Sequence, residues 1–427
     1  MFMRKIAFAL GIFFASVSAF TVSAGEYLKG EVSDIALIYQ GGTHRPDWTE
    51  EELTPYVVHT YADGRTAWFF DAFLFLEFET QRPGGLGFAN SYGKGPATRT
   101  EWEWLLDRTF AEGKALHALD ALIGKKKAEL GDPGFKHKVV ISTAVPCENQ
   151  TNWGEIDGQK MNFMIRSHQL LAAKWYIGQI VERFRAADFK NIELVGIYWL
   201  DETVAKAGDL CTYVADIVHE HGLKFYWIPY WASEGAERWK ELGFDYAYQQ
   251  PNHFFNNSIL DNRINDAARF AKKNGMGLEM EWDAAVLYES VNSKYSRLET
   301  YIDRFESTGV FDESSIAYYS GTKAILQMYQ SSHIENTLIL DRIAKHIEER
   351  HKAMTGGVDD VTSGGGGRLP IAIAGEGEVY VPEDAGIVDF YGIDGRRVFS
   401  GSGLLSCVKG MYIATDHNGC SQKLFVR

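Results

Sequence analysis

Ile192-Glu-Leu-Val-Gly-Ile-Tyr-Trp-Leu-Asp-Glu202 begins as an apolar, β-branched run and closes on two aromatics and two carboxylates. A strand apolar on both faces is the mark of a parallel sheet covered by helices. Seven further runs share the pattern: Asp34–Gln40, Thr66–Phe78, Lys138–Pro146, Lys224–Trp231, Tyr246–Gln250, Gly277–Asp283 and Ser315–Tyr319. Amphipathic helical stretches separate most of them, at Thr100–Lys127, Asn162–Ala187, Asp209–His221, Ile259–Asn274, Lys294–Thr308 and Ile334–Met354. Strands alternating with helices make βαβ units. Eight such strands predict an α/β fold, a (β/α)8 TIM barrel over residues 25–354. An open doubly wound sheet is the competing topology, but no GxGxxG follows an early strand, so neither a dinucleotide site nor any other cofactor is expected.

The polar residues support the barrel. Gly41-Gly-Thr-His44, Asp201-Glu202, Tyr230-Trp231, Gln249-Gln250-Pro251-Asn252-His253 and Glu281-Trp282-Asp283 all fall at the C-terminal ends of proposed strands. In a barrel those ends meet on one face, where binding and catalysis occur. On the seventh strand Glu279, Glu281 and Asp283 share one side by the period of two. Burying carboxylates is costly without a task. Strands four and seven lie across the barrel from each other, so Glu202 and Glu281 face each other over the mouth. Paired carboxyls of this kind are what glycosidic hydrolysis needs, one as acid and one as nucleophile or base. Asp201 or Asp283 could instead join the pair, with wider spacing and an inverting outcome. Glu279 sits lower, as a contact or a supporting group. Asp71, inside Phe69-Phe70-Asp71-Ala72-Phe73, is either a buried ion-pair member or a substrate contact.

Aromatic residues make up 14% of the chain, with 11 Trp, and sugar rings stack on such side chains. Trp48, Trp199, Trp231, Trp282 and Tyr230 are the candidate platforms. His44, Gln250, Asn252 and His253 complete the expected substrate contacts. No metal site is expected: there is no CxxC or HxxxH spacing, no His-x-His closes the first strand, and His219 and His221 diverge on a helix.

The net charge of −14 opposes nucleic acid, whose phosphates demand a basic face. Arg4 and Lys5, an apolar run from Ile6 to Phe20 and Val22-Ser23-Ala24 read as a signal peptide over residues 1–24, cut after Ala24. The run is too short to span a bilayer, so stable membrane insertion is not expected and the location is secreted, periplasmic or envelope-associated. Four cysteines in an exported chain can pair. Cys407 with Cys420 and Cys147 with Cys211 is one arrangement, and four free thiols the other. Residues 355–368, rich in glycine, read as a linker. Residues 369–427 show short alternating runs between Gly and Asp-Gly turns, a small all-β, sandwich-like module.

The strand-end carboxylates resemble the clan of retaining glycoside hydrolases built on (β/α)8 barrels, in which a Glu after Asn on strand four is the acid/base and a Glu on strand seven the nucleophile. Glu202 and Glu281 match those positions, with Asp201 standing where the clan usually has Asn. Tyr39-Gln-Gly-Gly42, Trp68-Phe-Phe-Asp71, Gly196-Ile-Tyr-Trp199 with Glu202, and Tyr248-Gln-Gln-Pro251-Asn252 resemble domain of unknown function 4855, an exported barrel family. That resemblance implies a glycoside-hydrolase-like barrel and a carbohydrate partner. Tyr391-Gly-Ile-Asp-Gly-Arg-Arg-Val398, Gly410-Met-Tyr-Ile413 and Lys423-Leu-Phe-Val-Arg427 are similar to C-terminal sorting modules, which implies export machinery as a partner.

Overall fold

The computed structural model describes residues 25–40, 47–80, 85–90, 92–206, 208–354, 371–375, 378–382, 386–391, 396–406, 410–416 and 421–426. The signal peptide, His44, the 355–368 linker, Cys407 and Cys420 lie outside the described residues. Two compact units divide the chain, at residues 1–348 and 349–427.

The first unit is a closed barrel of eight parallel strands. They are β1 (Asp34–Tyr39), β2 (Ala72–Leu76), β3 (His137–Thr143), β4 (Ile192–Trp199), β5 (Lys224–Trp227), β6 (Tyr246–Gln249), β7 (Gly277–Glu281) and β8 (Ile316–Tyr319). Each pairs with its sequence neighbours, and β1 closes the ring against β8 through Asp34↔Ile316 and Ala36↔Tyr318. Every residue of β1, β2, β3 and β7 is buried, as strands enclosed on both faces must be.

The surrounding helices are α1 (Glu50–Val57), α2 (Arg99–Thr109), α3 (Ala115–Leu130), α4 (Arg166–Ala187), α5 (Leu210–Glu220), α6 (Asn262–Asn274), α7 (Tyr295–Ser307), α8 (Ala324–Gln330) and α9 (Ile334–Met354). Their ends follow local chemistry. At α1 the Thr49 hydroxyl accepts the Glu52 amide while Glu52 reaches back to the Thr49 amide, a capping box. At the end of α6, Gly275 takes φ 65°, a left-handed turn that suits glycine.

Two expected elements divide. The helix expected over Thr100–Lys127 is interrupted at Gly113, where φ is 69°, leaving α2 and α3 on either side. The strand expected over Thr66–Phe78 is a short strand, Thr66–Trp68, paired antiparallel with Val58–Thr60 across the Asp63-Gly64 turn, followed by β2. The apolar pattern runs unbroken through Phe69 and Phe70, while the chain turns there.

Among the described residues the second unit holds seven strands: β9 (Ala372–Gly375), β10 (Glu378–Val381), β11 (Val388–Tyr391), β12 (Arg397–Gly401), β13 (Gly403–Ser406), β14 (Gly410–Asp416) and β15 (Ser421–Val426). They form sheets of order β9-β10-β13 and β12-β11-β14-β15. Val379 and Val381 from one sheet pack with Val388, Phe390, Tyr412 and Ala414 from the other. Exposure alternates residue by residue along β11 and β13, the sandwich pattern expected of this segment.

Candidate active site at the barrel mouth

The C-terminal ends of β4, β6 and β7 bring four side chains into one hydrogen-bonded line. Gln250, just past β6, donates from Nε2 to Glu202 Oε1 at 2.9 Å. The Gln250 Oε1 accepts from Asn252 Nδ2 at 2.8 Å. The same Asn252 nitrogen donates to Glu281 Oε1 at 3.3 Å. Two amides therefore join the carboxylate beyond strand four to the one that ends strand seven. Asn252 holds a left-handed φ of 49°, a conformation that Asn tolerates better than most residues. Its Oδ1 accepts the Trp231 backbone amide at 2.6 Å, so one residue fixes both the β5 loop and the carboxylate bridge.

Glu281 receives two more donors on Oε2, from the Tyr301 hydroxyl at 2.6 Å and the His253 amide at 3.4 Å. Its carboxyl is nonetheless pushed up to about 7, chiefly by burial. Tyr301 and the His253 amide oppose that rise, and the negative charge of Glu202 adds to it. Glu279 is 3% exposed and lies one period below Glu281. Burial raises it well above the carboxylate range, and the charges of Glu281 and Glu202 raise it further. Asp201 is pushed up to about 7 by burial, opposed by the Asn90 side chain, which donates to Oδ2 at 2.7 Å, and by the charge of Lys206. Tyr39 and Tyr198, from β1 and β4, are buried beside Glu279 and Glu202, and burial followed by neighbouring negative groups pushes both phenols up.

Several expected contacts are placed elsewhere. Asp71 precedes β2, at the opposite end of the barrel, where its carboxylate accepts the Ser33 amide at 3.1 Å and the Asp34 amide at 2.5 Å; it is a structural bracket rather than a substrate contact. Trp48 is 1% exposed, donates from Nε1 to the Tyr39 carbonyl at 2.8 Å and packs edge-on against Tyr56. Trp199 and Trp282 are wholly buried. Each follows an inward residue (Tyr198 and Glu281), so the period of two turns it outward into the barrel wall. Asp283 caps the turn Ala284–Val286 by accepting the Ala285 amide at 2.8 Å. His253 is buried, its Nε2 2.8 Å from Asp261, and only its main-chain amide serves the site. Cys147 and Cys211 are both free and buried, so the pairing between them does not form.

Trp231 remains half-buried beneath the Arg263 guanidinium, and Tyr230 is exposed at the mouth. Glu202, Asp201, Gln250, Asn252, Glu279 and Glu281 are brought together. Tyr301 and Asn90 were missed. Tyr301 sits on α7 among Leu298, Ile302 and Phe305, all buried, and reads as core. A line of aromatic contacts was missed as well: Tyr92 stacks on Phe78 at 4.2 Å, Phe78 meets Tyr39 at 5.9 Å, Tyr39 meets Tyr319 at 5.4 Å, and Tyr319 meets Phe255 at 5.6 Å. Tyr92, Tyr319 and Phe255 are partly or fully open to solvent. Tyr39 and Tyr319 end their strands, which is the signal that could have singled them out.

Fold and site define a (β/α)8 barrel with a carboxylate–amide mouth. The chain belongs to the family described as domain of unknown function (DUF4855), whose profile matches residues 34–345. Similar solved structures include a mutant tryptophan synthase α-subunit from the hyperthermophile Pyrococcus furiosus, at 10% identity and TM-score 0.34, covering 74% of this chain and 96% of that one. The catalytic domain of a family GH18 chitinase from the fern Peteris ryukyuensis is another, at 11% identity and TM-score 0.38, covering 73% and 99%. No curated protein matches the sequence significantly.

Proposed function

We propose that the protein is an exported glycoside hydrolase acting on a poly- or oligosaccharide, with retention of configuration. The observation that carries this reading is the amide bridge Glu202–Gln250–Asn252–Glu281, which holds carboxyls from opposite sides of the barrel in one network. Glu281 is the nucleophile: three donors favour its anion and fix its orientation. Glu202, half-buried beside the open mouth, is the acid/base. In the first step a Glu281 oxygen bonds to the anomeric carbon as the glycosidic C–O bond breaks and the leaving oxygen takes the Glu202 proton. In the second, Glu202 takes a proton from water, whose oxygen displaces Glu281 and releases the sugar. Burial first and the charge of Glu202 after it raise Glu281, so this carboxyl takes up a proton as pH falls through about 7.

Tyr92, Tyr319 and Phe255 supply ring faces for sugar C–H groups, opposite in character to the polar side of the mouth. The N-terminal signal-like run supports export, and the β unit supports passage through or retention at the envelope. Among the described residues no helix is long and apolar enough to cross a membrane. The test is a panel of plant and host glycans assayed for new reducing ends with wild type and Glu281→Gln. Release by wild type alone is expected; binding without release by either protein would make this a glycan-binding barrel instead.

A further inference from the structure

The donors that reach Glu281 from outside β7 are the Tyr301 hydroxyl and the His253 amide on Oε2, and Asn252 Nδ2 on Oε1. Tyr301 stands on α7. Asn252 and His253 belong to residues 250–261, an irregular stretch between β6 and α6 whose carbonyls lie outside any strand ladder.

Several of those carbonyls are held from α7. Lys294, the residue before the helix, donates from Nζ to the Phe255 carbonyl at 2.8 Å and to that of Phe254 at 3.3 Å. Arg297 donates to the carbonyl of His253, to that of Asn256 at 3.1 Å and to that of Ile259 at 3.3 Å. Spacings of three and four put Lys294, Arg297 and Tyr301 on one stripe of the helix. The Tyr301 ring also meets the His253 ring edge-on at 5.4 Å. One helix stripe thus carries a direct donor to Glu281 and the clamp on the segment that supplies the other two.

The clamp falls where the backbone most needs holding. Asn252 is at φ 49°, a sparsely populated conformation that its surroundings must impose. The carbonyls on either side of it are both taken by arginines, Pro251 by Arg263 at 3.4 Å and His253 by Arg297. The two bonds from this segment to Glu281 are long, 3.3 and 3.4 Å, so a shift of a few tenths of an ångström is enough to lose them.

Resting on the hydrolase reading above, we infer that Arg297 is a positioning residue for the nucleophile, aiming the Asn252 amide and the His253 N–H at Glu281 through the main chain of residues 252–259. Its three hydrogen bonds end on carbonyls, so it acts on the carboxylate through the loop and not by contact. Without the clamp the backbone relaxes about Asn252, and Glu281 keeps Tyr301 but loses two donors. The nucleophile is then misaimed, and it holds its proton to higher pH, since those donors oppose the effect of burial.

The test compares Arg297→Ala, Arg297→Lys and Arg342→Ala with wild type. Arg342, on α9, binds Asp303 and Glu306 on the exposed side of α7 and controls for a general weakening of that helix. Carboxyl NMR on glutamate-labelled protein reads the Glu281 pKa, and kcat and KM are measured on a glycan the wild type cleaves, with and without ethylguanidinium. In Arg297→Ala, Glu281 is expected to titrate roughly 1 unit higher. At pH 7, kcat should fall at least roughly tenfold while KM changes by less than about threefold. Ethylguanidinium refills the site and should restore most of both, and Arg297→Lys, a cation without the planar fork, should lie between. Arg342→Ala should lower the melting temperature and move neither reading. Should Arg297→Ala fail to fold even with ethylguanidinium, Arg297→Lys decides by the same two readings. A Glu281 pKa and a kcat per folded molecule that stay at wild-type values, or an equal shift in Arg342→Ala, overturns the inference. Cleavage by wild type with both readings unmoved would sink the positioning role and leave the hydrolase standing. A raised Glu281 pKa in Arg297→Ala, with no glycan cleaved by wild type, would do the reverse.

Discussion

Replacing Tyr301 by Phe removes one oxygen atom and tests how the site sets the charge of Glu281. The hydroxyl donates to Oε2 at 2.6 Å with both side chains buried. A hydrogen bond to a charged acceptor is worth about 1.5–3 kcal/mol, and 1.36 kcal/mol corresponds to one pKa unit, so the carboxyl should rise by roughly 1–2 units. Starting from about 7, Glu281 would then titrate at roughly pH 8–9. If the anion is the nucleophile, the acidic limb of kcat/KM moves up by the same amount, and activity at neutral pH falls roughly five- to fiftyfold while the alkaline plateau changes less.

Stability gives a substrate-independent reading. Glu281 titrates higher folded than unfolded, so its contribution is complete at acid pH and is lost as pH rises through the folded value. The variant should therefore differ little from wild type where Glu281 is protonated, the gap widening to about 1.5–3 kcal/mol where it is ionised. The assays are a pH series of denaturant melts and side-chain carboxyl NMR on glutamate-labelled protein. A Glu281 pKa that stays put or falls, or a stability gap that does not widen with pH, would refute the reasoning.

Asn252→Ala breaks the amide bridge and places a side chain less tolerant of the left-handed conformation at φ 49°, costing roughly 1 kcal/mol in strain. Asn252→Gly relieves the strain but not the lost bridge, so both variants should lose tenfold or more in kcat/KM while only the first loses the strain energy in melts. Asp71→Ala orphans the buried Asp34 amide and the half-buried Ser33 amide at the far end of the barrel and should cost about 2–4 kcal/mol in denaturant melts, with activity per folded molecule unchanged. Arg297 donates to the carbonyls of His253, Asn256 and Ile259; Arg297→Ala should speed amide hydrogen exchange over residues 252–261 at least roughly tenfold and leave β1 to β4 unaltered.

The barrel was legible because parallel strands buried on both faces are written as unbroken apolar runs, and all eight lie where those runs do. The errors arise where pattern and backbone part company. Phe69 and Phe70 continue an apolar run across a turn, and one glycine at 113 is enough to break a helix whose stripe continues beyond it. In the site, Glu202, Gln250, Asn252 and Glu281 could be found because they end or follow strands. Tyr301 could not, because a phenol in a helix stripe looks like packing until its hydroxyl is seen against Glu281.

Composition misled about tryptophan. Trp48, Trp102, Trp153, Trp199, Trp227, Trp239 and Trp282 are fully buried, and tyrosines with Phe255 form the accessible aromatic line. Parity explains part of this, since a residue next to an inward carboxylate or phenol on a strand points outward. Asp71 stayed open between a buried partner and a substrate contact because its position within an apolar run does not say which end of the strand it occupies.

Rescue by azide addresses the roles of the two carboxyls most directly. Glu281→Ala and Glu202→Ala are each incubated with an activated aryl glycoside of a sugar the wild type cleaves, with and without azide, and the product anomer is read by proton NMR. Glu281→Ala should be inactive alone and regain turnover with azide to give the inverted glycosyl azide, since azide attacks where Glu281 would. Glu202→Ala should give the retained azide, formed from the glycosyl-enzyme. The same anomer from both variants, or full activity in either without azide, would contradict the assignment of Glu281 as nucleophile and Glu202 as acid/base.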